Sequence, residues 1–107
     1  LVLGVAYKKN IEDTRESPSV EIMEILHAQG AKLDYSDPHV LSFPKMRKHH
    51  FDMDSVELTP AKLKSYDIVL LLTDHDDFDY KLIQKNANII VDTRGKFDKT
   101  AENVVRA

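Results

Sequence analysis

The sequence contains no cysteine. That absence excludes a disulfide framework and any thiolate-based zinc site, removes the commonest covalent nucleophile, and is compatible with a reducing, cytoplasmic setting. Glycine is also scarce: Gly4 stands alone after the first apolar run, so the G-x-G-x-x-G turn through which a dinucleotide pyrophosphate approaches a strand end is missing. No G-x-S-x-G elbow occurs either, and self-contained catalysis by a nucleophile beside a base is not expected. No apolar stretch nears the roughly eighteen residues that a membrane helix requires, and there is no internal repeat or low-complexity tract. The net charge of −3 is spread over interspersed acids and bases. It creates no global field for nucleic acid or an anionic membrane, so any anion must be caught locally.

What is present suits one soluble globular domain: 107 residues, 42% of them apolar, enough for a single modest core. The chain begins at Leu1 inside an apolar run, without Met, and reads as a piece of a longer polypeptide. Hydrophobic periodicity predicts strands over 1–7, 31–35, 68–72 and 89–91 and helices over 18–29, 61–65 and 80–86. That alternation is the pattern of an α/β fold, a Rossmann-like three-layer sandwich on a mainly parallel sheet. The first helix is the best marked, with Ser17 placed to cap, Pro18 at the first position, Ile22, Ile25 and Leu26 on one face, and Gly30 to stop it. The run Ile68-Val-Leu-Leu-Leu72, apolar at every position, is expected at the centre of the sheet. Residues 38–60 read as a surface connection with one short strand near Val56-Glu-Leu58, and the tail from Gly95 as leading into an element that the chain truncates.

In parallel sheets, ligands bind beyond the carboxyl ends of the strands. There the loop over residues 4–18 carries three cations and three acids. Lys8, Lys9 and Arg15, beside the helix start at Ser17, could hold phosphates, and Arg94 would approach from the end of the last predicted strand. The bland alternative is a solvated loop with Arg15 paired to Asp13 or Glu16. The acidic run 73–79 imitates a calcium loop but lacks the turn glycine and has Lys85 where a bidentate glutamate belongs. Helix capping by Asp76, Asp77 and Asp79 is the expected role. His39, His49 and His50 with Asp52 and Asp54 lack the spacing of a helical zinc site, and no metal is expected there.

Four stretches, in order, carry a resemblance over nearly the whole chain: Leu3-Gly-Val-Ala-Tyr-Lys-Lys9, Asp13-Thr-Arg-Glu-Ser-Pro18, Tyr35-Ser-Asp-Pro38, and the pair Leu72-Thr-Asp-His75 with Val91-Asp-Thr-Arg94. Together they resemble the C-terminal, UDP-binding domain of the UDP-glucose/GDP-mannose dehydrogenase family, nucleotide-sugar 6-dehydrogenases that make sugar acids for surface polysaccharides. The resemblance implies that residues 1–107 are the nucleotide-sugar domain of a larger cytoplasmic enzyme. That enzyme would add an N-terminal Rossmann domain binding NAD and a central helical region used in dimerisation or higher homo-oligomerisation. Its two-step oxidation of the sugar C6 hydroxyl to a carboxylate would use an upstream cysteine. No catalytic residue is expected in this fragment, which alone would be inactive. The partners implied are a UDP-sugar and the rest of the polypeptide.

By motif, Tyr7 matches an aromatic, usually Phe, that packs by the substrate, and Lys8 matches the lysine that hydrogen-bonds the nucleotide sugar. Arg94 matches the arginine of an Asp-Gly-Arg segment near the substrate, with Thr93 in place of its glycine. Arg15 matches the arginine that reaches the NAD side of the cleft. The combination Ala-Tyr-Lys-Lys-Asn with Val-Asp-Thr-Arg is more similar to the UDP-N-acetylhexosamine branch than to the UDP-glucose branch. A UDP-glucose 6-dehydrogenase domain, or a non-catalytic nucleotide-binding or interaction module on the same fold, are the other readings.

Overall fold

Five short strands form one sheet in which every ladder is parallel: β1 (Val2–Leu3), β2 (Tyr35–Ser36), β3 (Val69–Leu71), β4 (Ile90–Asp92) and β5 (Val104–Arg106), in the order β2-β1-β3-β4-β5. The computed structural model describes residues 1–6, 9–10, 17–43, 51, 53–98 and 100–107. Among the described residues, three helices connect the strands: α1 (Pro18–Ala28), α2 (Pro60–Lys64) and α3 (Tyr80–Asn86). Among the described residues no helix is long and apolar enough to cross a membrane.

Alternation along the strands builds two cores. Leu3, Val69, Leu71 and Ile90 pack with Leu63 of α2 and Ile83 of α3, whereas Val2, Val5, Tyr35 and Leu72 pack with Val20 and Met23 of α1. A side-chain period of two sends neighbouring residues to opposite faces, so helices cover both sides and three layers result. β3 lies centrally, as its unbroken apolar run predicts.

Several elements differ from the sequence reading. The first strand pairs only over Val2–Leu3, because Gly4 takes a φ of +87° and turns the chain out of the ladder. The face of α1 that enters the core carries Ser19, Val20 and Met23, while Ile25 is 57% exposed. Ile25 stands two residues, or roughly 200°, around the helix from Met23. Ser17 occupies the cap position with extended backbone, but its hydroxyl donates to the carbonyl of Ala6 (3.3 Å) instead of turning back on the helix. No strand forms at 56–58. The Val56 N–H donates to the Tyr35 carbonyl (2.8 Å), and the antiparallel pairing nearby is a lone Ser42–Asp54 bridge. The tail after Gly95 supplies β5, which pairs with β4 in parallel at the edge of the sheet. Besides Ile25, the large apolar residues Leu41, Ile68, Ile89 and Val105 are exposed.

Candidate functional site

The strand order reverses between β1 and β3, since β2 lies to one side of β1 and β3 to the other. At such a switch point the loops leaving the two strands run apart and open a crevice at their carboxyl ends. The chain leaving β1 passes unusually close to β3. A Cβ on Gly4 would lie 2.4 Å from the Thr73 carbonyl oxygen and 2.5 Å from Thr73 Cβ, so only glycine fits. The Thr73 hydroxyl then donates to the Ala6 carbonyl (2.9 Å), clamping the strand end one residue before Tyr7. Gly4 therefore serves the close approach of β1 and β3, and no second turn glycine of a dinucleotide fingerprint follows it in the sequence.

Beyond β2 and β3, Asp37 and His75 meet with both side chains fully buried, His75 Nε2 lying 2.9 Å from Asp37 Oδ2. The same oxygen accepts from the N–H groups of Val5 (2.8 Å) and Ala6 (3.3 Å), and Oδ1 accepts from the His39 N–H (2.8 Å). Burial pushes the Asp37 carboxyl upward, but the bonds from His75, Val5 and His39 outweigh it and hold the group below the usual carboxylate range. On the other ring nitrogen, the Asn10 N–H donates to His75 Nδ1 (2.8 Å). A backbone N–H can only donate and a carboxylate can only accept, so His75 is the neutral tautomer with its proton on Nε2.

Asn10 is held in the left-handed region, φ 63°. Its amide makes a reciprocal pair with Asp76: Nδ2 donates to Oδ2 (2.7 Å), and the Asp76 N–H donates to Oδ1 (3.0 Å). That side-chain bond first, and Lys9 second, lower the Asp76 carboxyl. The His39 ring lies 4.5 Å from that of His75, tilted by 44° to it, and its Nε2 lies 3.1 Å from Asp77 Oδ2. Asp79 caps α3, accepting from the Leu82 N–H (3.1 Å). The carboxylates that imitate a calcium loop therefore point to separate partners, and of the three expected caps only Asp79 serves as one.

At the end of β4 the chain wraps around buried Asp92. Oδ1 accepts from the N–H groups of Arg94 and Gly95 (both 2.8 Å), and Oδ2 accepts from that of Phe97 (2.9 Å). Burial raises this carboxyl, and the converging backbone donors more than reverse it. The turn brings the exposed Arg94 back over β3, where its Nε donates to the Leu72 carbonyl (2.9 Å). The remaining guanidinium N–H groups have no hydrogen-bond partner among the described residues. Thr93 is tied to the same strand, its hydroxyl donating to the Leu71 carbonyl (2.6 Å), and Lys96 lies 3.8 Å from Asp74. A cation thus stands at the carboxyl end of β3, adjacent in sequence to the Thr73 clamp on Ala6. A cleft of about 390 Å³ opens beside Asp37, between Leu41, Val56 and Phe78. A larger one of about 810 Å³ lies at the opposite, amino ends of the strands, between Leu33, Tyr66 and Ile68.

Of the four residues singled out from sequence, Arg94 sits at the switch point; Tyr7, Lys8 and Arg15 lie outside the described residues, as do His49, His50 and Asp52. Sequence reasoning did not single out Asp37, His75 or Asn10. Asp37 and His75 stood in the quoted motifs Tyr35-Ser-Asp-Pro38 and Leu72-Thr-Asp-His75, which was the available signal.

Residues 1–99 match the sequence model of the UDP binding domain of the UDP-glucose/GDP-mannose dehydrogenase family. The UDP-N-acetyl-D-mannosamine dehydrogenase of Methanococcus vannielii is 35% identical over 77 residues, 72% of this chain and 16% of that protein. The NDP-N-acetyl-D-galactosaminuronic acid dehydrogenase of Ralstonia nicotianae is 35% identical over 98 residues, 86% of this chain and 21% of that protein. Among solved structures, the UDP-N-acetyl-mannosamine dehydrogenase Cap5O from Staphylococcus aureus superposes with a TM-score of 0.67 at 29% identity, over 98% of this chain and 24% of that one. The chain therefore spans 16 to 24% of the length of these relatives.

Proposed function

The chain belongs to the UDP-glucose/GDP-mannose dehydrogenase family, in its UDP binding domain, and from that membership we propose that it holds the nucleotide half of a UDP-sugar for a longer NAD-dependent 6-dehydrogenase. Tyr7 packs beside the substrate, Lys8 and Arg94 bind its nucleotide-sugar portion, and Arg15 reaches toward the NAD side of a cleft completed elsewhere in the polypeptide. The parent enzyme oxidises the sugar C6 hydroxyl to a carboxylate in two steps. Its sugar is a UDP-N-acetylhexosamine, a reading supported by the names of the relatives in Methanococcus and Staphylococcus.

The observation that carries the proposal is the anchoring of Arg94. Its Nε is spent on the Leu72 carbonyl at the carboxyl end of β3, which supports a guanidinium held in place for a ligand there. A guanidinium so held suits forked recognition of a diphosphate or uracil oxygen.

Titrating the chain with UDP and, separately, with NAD while following backbone amide NMR shifts tests it. Saturable shifts at Tyr7, Lys8 and Arg94 with UDP alone are expected. NAD-selective shifts would overturn the division of labour, and silence with both nucleotides would overturn nucleotide binding by this chain.

A further inference from the structure

Residues 7–9 are bracketed by one buried polar pair. On the upstream side Asp37 Oδ2 accepts from the N–H groups of Val5 and Ala6; on the downstream side His75 Nδ1 accepts from the N–H of Asn10. The two side chains are joined to each other at 2.9 Å. One continuous chain of hydrogen bonds therefore runs from Val5 and Ala6, through a carboxylate and an imidazole, to Asn10.

Stability is a weak reason for such a pair. Burying a carboxylate beside a neutral imidazole carries a desolvation cost that their hydrogen bonds must first offset, and apolar side chains of similar volume would fill the site as well. What apolar side chains cannot do is accept the backbone N–H groups of Val5, Ala6 and Asn10 and so hold those three residues in place. The tautomer matters here, because only the Nε2-protonated ring has a lone pair on Nδ1 for Asn10.

We infer that Asp37 and His75 are a positioning pair for the nucleotide loop: they set the backbone from which Tyr7 and Lys8 reach the UDP-sugar. The inference rests on the roles proposed above for those two residues. Neither Asp37 nor His75 touches the ligand; both act through the loop.

The test uses the whole chain and UDP as the probe. In the wild type, nitrogen-15 shifts of His75 should report a neutral ring protonated at Nε2. His75→Phe keeps a ring against Phe78, 5.7 Å away, but removes both nitrogens. It should speed amide exchange at Asn10 while leaving exchange at Ile83 and Ile90 unchanged, and should weaken UDP binding by about tenfold, the scale of one lost hydrogen bond. In a Tyr7→Ala/Lys8→Ala background the same substitution should change UDP affinity less than about twofold, since coupled sites are non-additive. A general loss of structure would instead weaken binding equally in both backgrounds, and that result overturns the proposal.

A His75 proton found on Nδ1, or wild-type UDP affinity in a folded His75→Phe, overturns it as well. Should His75→Phe not fold, Asp37→Asn is read the same way, with exchange at Val5 and Ala6. Failure of the wild type to bind UDP would sink the functional reading and the loop's purpose with it. That outcome is separate from loss of the pair, which the tautomer and the exchange rates report on their own.

Discussion

Asp37 and His75, 38 residues apart in sequence, bond at 2.9 Å where the chain leaves β2 and β3, and neither side chain is reached by solvent. The link makes the carboxyl ends of the two strands one unit with the backbone of β1's exit. Whatever the loops above it bind, this unit sets their common floor.

That arrangement dictates an acid dependence. The Asp37 carboxyl is held below its ordinary value of 3.8 because its hydrogen bonds outweigh the opposing effect of burial. A group with a depressed folded value contributes stability that is complete above the unfolded value, about pH 4, and is lost as pH falls through the folded value. Asp37→Asn should therefore lower stability by about 2–3 kcal/mol at pH 7, the worth of hydrogen bonds to a charged group, and should flatten the acid limb. Urea unfolding of both proteins at pH 7 and pH 3 checks it; parallel losses on acidification would show that Asp37 carries none of the dependence.

Gly4 and Gly30 form a controlled pair. Both have positive φ, +87° and +92°, but a Cβ at Gly4 collides with the Thr73 backbone, whereas one at Gly30 meets nothing within 4 Å. Gly30→Ala should cost only the conformational penalty, about 1 kcal/mol. Gly4→Ala should cost about 2–4 kcal/mol, strain and overpacking together. Equal costs in thermal or urea unfolding would mean that β1 and Thr73 separate freely.

The fold was legible wherever local chemistry and burial agreed. α3 begins and ends where the sequence places it, because Asp79 caps it and Ile83 and Ala87 pack beneath it. β3 was legible from its apolar run. β5 was not, since Val104-Val105-Arg106 is three residues long and half-buried at best, so only pairing with β4 makes it a strand. The core face of α1 was misjudged because Ile25 is apolar yet exposed, and apolarity alone does not say which side of a helix is covered. Arg94 was singled out through a motif, and its binding role is the proposal made above. The Asp37–His75 pair was not, because local periodicity carries no information about which loop ends a sheet order brings together.

Arg94→Lys separates fork from charge. The substitution forfeits the Nε bond to the Leu72 carbonyl, a partly buried contact to a charged group worth about 1.5–3 kcal/mol, which a stable domain should survive. UDP affinity should fall about tenfold, because an ammonium cannot reproduce a planar two-point contact. Calorimetric titration checks it, and undiminished affinity would reduce Arg94 to a simple charge.

Lys8→Ala asks the same of the loop. A lysine that serves the ligand and not the fold contributes within about 0.5 kcal/mol to stability, so unfolding of the chain should be unchanged. Turnover of UDP-sugar by the longer enzyme should nevertheless weaken, with a raised KM. Wild-type kinetics would remove Lys8 from the site.

Asn10 separates backbone shape from side-chain pairing. Its φ of 63° is accessible to asparagine and free for glycine, but disfavoured for a β-branched residue. Asn10→Gly keeps the N–H that reaches His75 and loses only the amide pair with Asp76, so its cost should stay below about 1 kcal/mol. Asn10→Val must strain the turn or move it, at about 1–3 kcal/mol, and should loosen the N–H bond to His75 Nδ1. Both variants should let the Asp76 carboxyl rise toward its ordinary value, since the Asn10 side chain is the largest influence lowering it and Lys9 only the second. A carbon-detected NMR titration of Asp76, read beside urea unfolding, distinguishes the two effects. If valine and glycine prove equally stable at this position, the left-handed turn is not what holds the loop's downstream end.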